Sequence, residues 1–335
     1  GARGAPLRRP MAADSVEARL GAVFRGVDQA PAQCVQDYGR LCQDEQVVGY
    51  TPLQRALPDG GHGNACWRLL EDAAAGSPAC GAAAACLLGL AIGDAVGHPL
   101  EFTPVDQRLP DTRHGTYSDG GRPCLLPGLR HGRLQYRNAY NKFELRPGQW
   151  TDDTSMALCI ADSLLVHKGY HGGDLRVRWH MWWAHGYCNA FRFDAQRFRQ
   201  VSVGLGGNIA KSLAKLEASF AGVRDAAASA PAVYASEAND AGNGSIMRLA
   251  AVPIAWHLSP FTAMDVAALQ SLATHPGPDA AICAAFVSFF ITGALAAHRD
   301  GRPIGREPRA FVDKVVSDFL ADYSPGAGKG RRAGL

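Results

Sequence analysis

Four segments of this sequence hold the residues whose types and spacing can do chemistry. The first is Gly148-Gln149-Trp150-Thr151-Asp152-Asp153-Thr154, directly before an apolar stretch that reads as a helix. Thr151 is a good N-cap, and an acid in the first turn complements the helix dipole. Capping therefore accounts for one hydroxyl and one carboxylate. Two adjacent acids, Asp152 and Asp153, between two threonines exceed that need. Hard oxygen donors on one rigid turn suit Mg²⁺ or Mn²⁺, whereas zinc prefers Cys and His. A capping reading and a metal reading both stand at this point.

The second segment is Gly93-Asp94-Ala95-Val96-Gly97-His98-Pro99-Leu100-Glu101-Phe102. A helix ends near Gly97, and Pro99 blocks its continuation. Glu101 then stands on a loop held by a rigid helix, a usual place for a catalytic group. Asp94 lies inside the helix, where a buried hydrogen-bonded acid is favoured over a cleft residue. The third segment ends in Gly242-Asn243-Gly244-Ser245, followed by Ile246-Met247-Arg248. Such a turn at a helix start exposes backbone N–H groups that can cradle a phosphate or diphosphate. A tight turn capped by Ser245 explains the same residues, and in isolation it is favoured. Arg248 could reach a phosphate or form a structural salt bridge. The fourth segment, Thr274-His275-Pro276, ends one helix before a long apolar one, and a lone histidine there is usually a capping or core residue.

The elements that must position these groups are helices. Helical periodicity dominates, and no convincing series of alternating strands appears. The pattern predicts helices over 80–97, 152–168, 174–188, 194–201, 208–220, 246–257, 262–273, 279–298 and 307–322. Residues 12–75 predict short, weakly patterned helices, and 103–148 a loop rich in Pro, Gly, Arg and His. Gly81, Ala85, Gly89, Gly93 and Gly97 recur every four residues and predict a smooth ridge for close helix packing. Ala280–Ala297 is uncharged and just long enough to span a bilayer, yet its Cys283, Ser288, Thr292 and Gly293 favour a buried core helix. No fixed repeat is present. The expectation is an all-α, irregular or orthogonal multi-helix bundle.

Composition narrows the partners. With 47% hydrophobic and 19% charged residues the chain can build a core, so disorder is excluded. A net charge of +3 is too small to predict nucleic-acid binding, and six arginines of the long loop (Arg108, Arg113, Arg122, Arg130, Arg133, Arg137) read as solvated rather than substrate-facing. Nine cysteines without a CxxC pair read as reduced thiols in an intracellular protein. A cytoplasmic location is expected, with nuclear or organellar placement left open, together with a monomer and no membrane partner. Arg3, Arg8 and Arg9 read as residues ahead of a start at Met11 in preference to a transit remnant, and no apolar stretch predicts a signal peptide. Gly204-Leu205-Gly206-Gly207-Asn208 fails as a dinucleotide fingerprint, because Ile209 replaces the third glycine and no strand precedes it. No P-loop, HExxH or GxSxG occurs. His167, His171, His180 and His185 with Cys188 could make a zinc site, but core or surface histidines are favoured.

Singly these segments are weak; their order is specific. GDAVGHPLEF, GQWTDDTSMALCIADSLL, GNGSIMRLAAVP and THPGPDAAICA in succession resemble the ADP-ribosylglycohydrolase family, the relatives of dinitrogenase reductase-activating glycohydrolase. The likeness runs from about Cys80 to Leu320, and SVGLGGNI at Ser202–Ile209 looks like a protist-type variant. It implies a helical domain over 79–322, an extension of unknown role over 1–78 and a flexible tail over 323–335. It also implies a metal-dependent hydrolase acting on the glycosidic bond of an ADP-ribosylated protein or small ADP-ribose conjugate, with two Mg²⁺ or Mn²⁺ ions. By resemblance, Thr151, Asp152 and Asp153 supply metal ligands, while Glu101 and Asp153 are catalytic. Gly242, Asn243, Gly244, Ser245 and His275 contact the substrate.

One departure stands out. The family closes its metal site with a later Gly-x-Asp-x-Asp-Thr motif. Here the acids after the long apolar helix are Asp300, Glu307, Asp313, Asp318 and Asp322, none as Asp-x-Asp. The expectation is an incomplete chain, with an inactive ADP-ribose-binding or structural relative as the alternative.

Overall fold

The computed structural model describes residues 63–98, 101, 118–119, 122–123, 129–130, 133–134, 143–191, 202–217, 230–236, 240–302 and 304–323. Nine α-helices account for most of them: α1 (Gly63–Gly76), α2 (Pro78–Gly97), α3 (Asp152–His167), α4 (Gly172–His185), α5 (Gly207–Glu217), α6 (Ala251–Ala255), α7 (Pro260–Leu272), α8 (Pro278–Arg299) and α9 (Pro308–Tyr323). The all-α expectation holds. The long loop departs from it locally, in two-residue antiparallel ladders β1 (Ser118–Asp119) with β2 (Arg122–Pro123) and β3 (Leu129–Arg130) with β4 (Arg133–Leu134). The helix predicted over 194–201, residues 1–62 and most of 103–142 lie outside the described residues.

Start signals set several boundaries. Pro stands in the first turn of α2, α7 and α8, where its missing N–H costs nothing. Ser77 caps α2 by accepting from the Cys80 N–H. α4 starts two residues before its predicted position because the His171 Nδ1 accepts the Asp174 N–H as an N-cap, and it ends at Gly186 in the left-handed region (φ 73°). Of the helix predicted over 246–257 only the five-residue α6 forms, with a 3₁₀ turn, Asn243–Ser245, ahead of it.

The main core joins α3, α4, α5, α6, α7 and α8 around Met156, Ile160, Trp179, Trp182, Leu213, Val252 and Ala284. A smaller cluster of Met264, Ala285 and Phe319, flanked by Phe286 and Phe289, ties α9 to α7 and α8. α4 is enclosed on every side from Gly172 to Trp182, so its charged residues need internal partners. Arg178 donates to Asp174 at 2.6 Å and to Asp162 at 2.7 Å, and Tyr187 donates its hydroxyl to Asp162. Arg176 donates to the Pro231 and Ser212 carbonyls. His167 and His171 stack at 4.4 Å and His167 lies 3.4 Å from Asp174, so these histidines support α4; among the described residues no group of three or more His, Cys, Asp or Glu side chains is arranged to hold a metal.

α2 and α8 are both long and apolar enough to cross a membrane by length and composition. α8 packs along α7 and also meets α2, α6 and α9, as a core helix does. The small-residue ridge of α2 is a correction. Only Gly81 sits against a neighbour, Ala74 of α1, while the positions at Gly89, Gly93 and Gly97 face open space and Ala95 alone is fully buried. Spacing made close packing available there, but Gly89, Gly93 and Gly97 meet no neighbour among the described residues.

Candidate active site

The site begins where α2 meets α3. Thr151, expected as an N-cap, makes no side-chain cap bond. Asp94, 57 residues upstream on α2, caps α3 instead. Its Oδ1 accepts the Thr151 N–H at 3.0 Å and hydroxyl at 2.7 Å, and its Oδ2 accepts the Thr154 N–H at 2.9 Å and hydroxyl at 2.7 Å. The favoured structural reading of Asp94 is thus its role, and α3 is held end-on against α2. Trp150 adds an anchor through its indole N–H to the Cys188 carbonyl.

This junction puts Asp152 and Asp153 at the floor of a cleft of about 470 Å³. Glu101 enters from the turn after α2, its N–H bonded to the His98 carbonyl. Gly204, Gly206, Gly207 and Asn208 form one wall, Gly242, Asn243 and Gly244 the other, with His275, Ile209 and Met247 completing the lining. A volume in this range suits a small-molecule ligand. Among the lining residues none is Lys or Arg.

Electrostatics follow from that crowding. Burial pushes the Asp152 carboxyl far above its ordinary range, and the charges of Asp153, Glu101 and Asp94 push it further. Burial, then the charge of Asp94, also raises Asp153, while hydrogen bonding, first to the backbone, opposes this.

The predicted residues divide clearly. Glu101, Asp152, Asp153, Gly242, Asn243, Gly244 and His275 share the cleft. Thr151 is 3% exposed and lies behind it. Ser245 is fully buried and does not line the cleft: its hydroxyl accepts from Ser271 and its carbonyl from Gln270. Arg248 reaches no cleft surface and, among the described residues, has no carboxylate ion pair. It donates to Gln270 and Thr274 and lies 3.7 Å over the Trp179 ring. Asp300, Asp313 and Asp318 are engaged in exposed ion pairs, with Arg299 and Arg302, Arg309 and Lys314.

Sequence reasoning missed the Gly204–Asn208 wall. The available signal was its density of glycines, and Gly204 shows why they are needed. Its φ is +93°, and a Cβ there would stand 2.4 Å from the Asp152 Oδ1. Gly244 is similarly constrained, since a Cβ would lie 3.0 Å from the His275 Cε1.

The ADP-ribosylglycohydrolase family model matches residues 58–332. The chain belongs to the ADP-ribosylglycohydrolase family. It is 30% identical over 207 residues to the ADP-ribosylarginine hydrolase Tri1 of Serratia proteamaculans (strain 568), covering 61% of this chain and 45% of the relative. Identity to the ADP-ribosylarginine hydrolase Tri1 of Pseudomonas putida (strain GB-1) is also 30% over 207 residues, covering 59% and 42%. The chain thus spans less than half the length of these relatives. A solved chain of an ADP-ribosylglycohydrolase-related protein complex is 24% identical with a TM-score of 0.42, covering 67% of this chain and 58% of that one.

Proposed function

We propose that the cleft binds ADP-ribose and belongs to a hydrolase that cleaves the glycosidic bond between ADP-ribose and an arginine side chain. The observation that carries this reading is the convergence of Glu101, Asp152 and Asp153 with two glycine-rich walls and His275 in one cleft. The names of the relatives support arginine as the acceptor.

The donor set fits a hard divalent cation. Its groups are oxygens, burial and the neighbouring acids raise both aspartates, and no Lys or Arg lines the cleft. Asp152 and Asp153 would hold Mg²⁺ or Mn²⁺ from the cleft, while Thr151, bonded to Asp94 behind them, fixes the turn that carries both. Such an ion would orient ribose hydroxyls and polarise the attacking water. Among the described residues no three acids, histidines or cysteines close into a chelating group, so these residues supply part of a site.

The chain's own groups account for the proton. As the bond from the ribose anomeric carbon to the guanidinium nitrogen breaks, an oxocarbenium-like state develops and the arginine leaves as neutral guanidine. Glu101 takes a proton from the attacking water and returns it to that guanidine. The glycine walls hold the diphosphate and ribose side without side-chain obstruction.

The test is release of ADP-ribose from ADP-ribosylarginine protein with Mg²⁺, Mn²⁺ or EDTA, alongside calorimetric ADP-ribose binding. Metal-dependent release supports the hydrolase. Binding without release identifies an ADP-ribose-binding member, and neither overturns the reading.

A further inference from the structure

We propose that Arg248 is a positioning residue which, through Thr274, holds His275 as the neutral imidazole with its proton on Nε2, a hydrogen-bond donor to a ligand oxygen beside the Gly242–Gly244 turn. The inference deepens the ADP-ribose reading and takes its ligand from it.

A guanidinium only donates, and Arg248 gives an N–H to the Thr274 Oγ1 at 2.7 Å. That oxygen lies 2.8 Å from the His275 Nδ1. Thr274 is fully buried, and among the described residues its hydroxyl proton has no acceptor other than Nδ1. The hydroxyl therefore donates to Nδ1, which must be the unprotonated nitrogen, and the ring proton sits on Nε2. Nε2 is the atom that faces the turn: it would stand 3.3 Å from a Cβ at Gly242 and 3.2 Å from one at Gly244. Burial, reinforced by the Arg248 charge, lowers His275 to about 4, so the ring is neutral at physiological pH.

Arg248 also secures the turn from behind. Its Nε donates to the Gln270 Oε1 at 2.9 Å, and the Gln270 Nε2 donates to the Ser245 carbonyl at 2.8 Å. One buried guanidinium, fixed against Trp179, thus sets both the histidine and the glycine turn it faces.

The tautomer is read in the ligand-free chain by long-range ¹H–¹⁵N correlation, with the His275 signals identified by their loss in His275→Gln. Nε2-protonated His275 is expected in the wild type and in Thr274→Ser. Thr274→Val should lose that preference and weaken ADP-ribose binding roughly tenfold, with Thr274→Ser within about twofold of wild type. Arg248→Lys tests the same relay, but Thr274 carries the argument because replacing a buried arginine endangers folding. An Nδ1-protonated wild-type ring, or a Thr274→Val chain unchanged in tautomer and affinity, overturns the inference. An Nε2-protonated wild-type ring that loses this preference in Thr274→Val, in a chain that binds no ADP-ribose, supports the relay and overturns the ADP-ribose reading, so the two failures are distinguishable.

Discussion

The Asp94 carboxylate holds Thr151 by both its amide and its hydroxyl, and in doing so caps from α2 the helix that begins with Asp152 and Asp153. The acidic turn is fixed by a residue outside it. Asp94→Ala removes four charge-assisted donors' acceptor at once. The expected loss is about 2–4 kcal/mol by urea denaturation, together with loss of any Mg²⁺-induced rise in melting temperature. An Asp94→Ala chain as stable as wild type would contradict the capping role.

Gly204→Ala should disable the cleft without touching a charged group. Its φ of +93° disfavours any side chain, and the added Cβ collides with Asp152. Backbone strain and overpacking together predict a cost of roughly 2–4 kcal/mol. Thermal melts with and without Mn²⁺ should show both a lower midpoint and a smaller metal response. Gly207→Ala is the control, because a Cβ there meets nothing.

The aspartate pair predicts an opposite pH response with and without cation. Both carboxyls are raised in the folded chain, so between pH about 4 and their folded values the native state binds more protons than the unfolded one. Their contribution to stability therefore falls as pH rises through that window. Mg²⁺ or Mn²⁺ must displace the protons that these raised carboxyls retain, so its stabilisation should grow from pH 5.5 to pH 8. Melting temperatures at the two pH values measure this directly; an equal metal increment at both would exclude these carboxylates as ligands.

Glu101→Gln keeps the size and hydrogen bonding of the side chain but removes its basicity. Turnover should fall at least about 100-fold while ADP-ribose affinity changes little. Undiminished turnover in a metal-saturated assay would remove Glu101 from the proton transfer.

Much of the site was legible because its pieces are local. An acid-rich helix start, a Gly-Asn-Gly turn and a histidine between two helices are written in consecutive residues, and helix periodicity with capping residues placed them at element ends. The all-α class follows from the same local signals. What sequence could not show was which faces meet. The ridge from Gly81 to Gly97 permitted close packing along α2, yet only Gly81 found a neighbour. Thr151 looked like its own helix cap, but a carboxylate 57 residues away outcompeted it. Ser245 and Arg248 follow the glycine turn in sequence, and its curvature sends both inward, to Ser271, Gln270 and Thr274. The Gly204–Asn208 stretch failed every phosphate-loop pattern and became a wall only because α5 starts beside Asp152. The sequence by itself determined which residues could act and, within a few residues, where most of the helices begin. Tertiary packing decided which of them share a cleft, because burial, the proximity of charges and hydrogen-bond direction belong to groups brought together from distant parts of the chain.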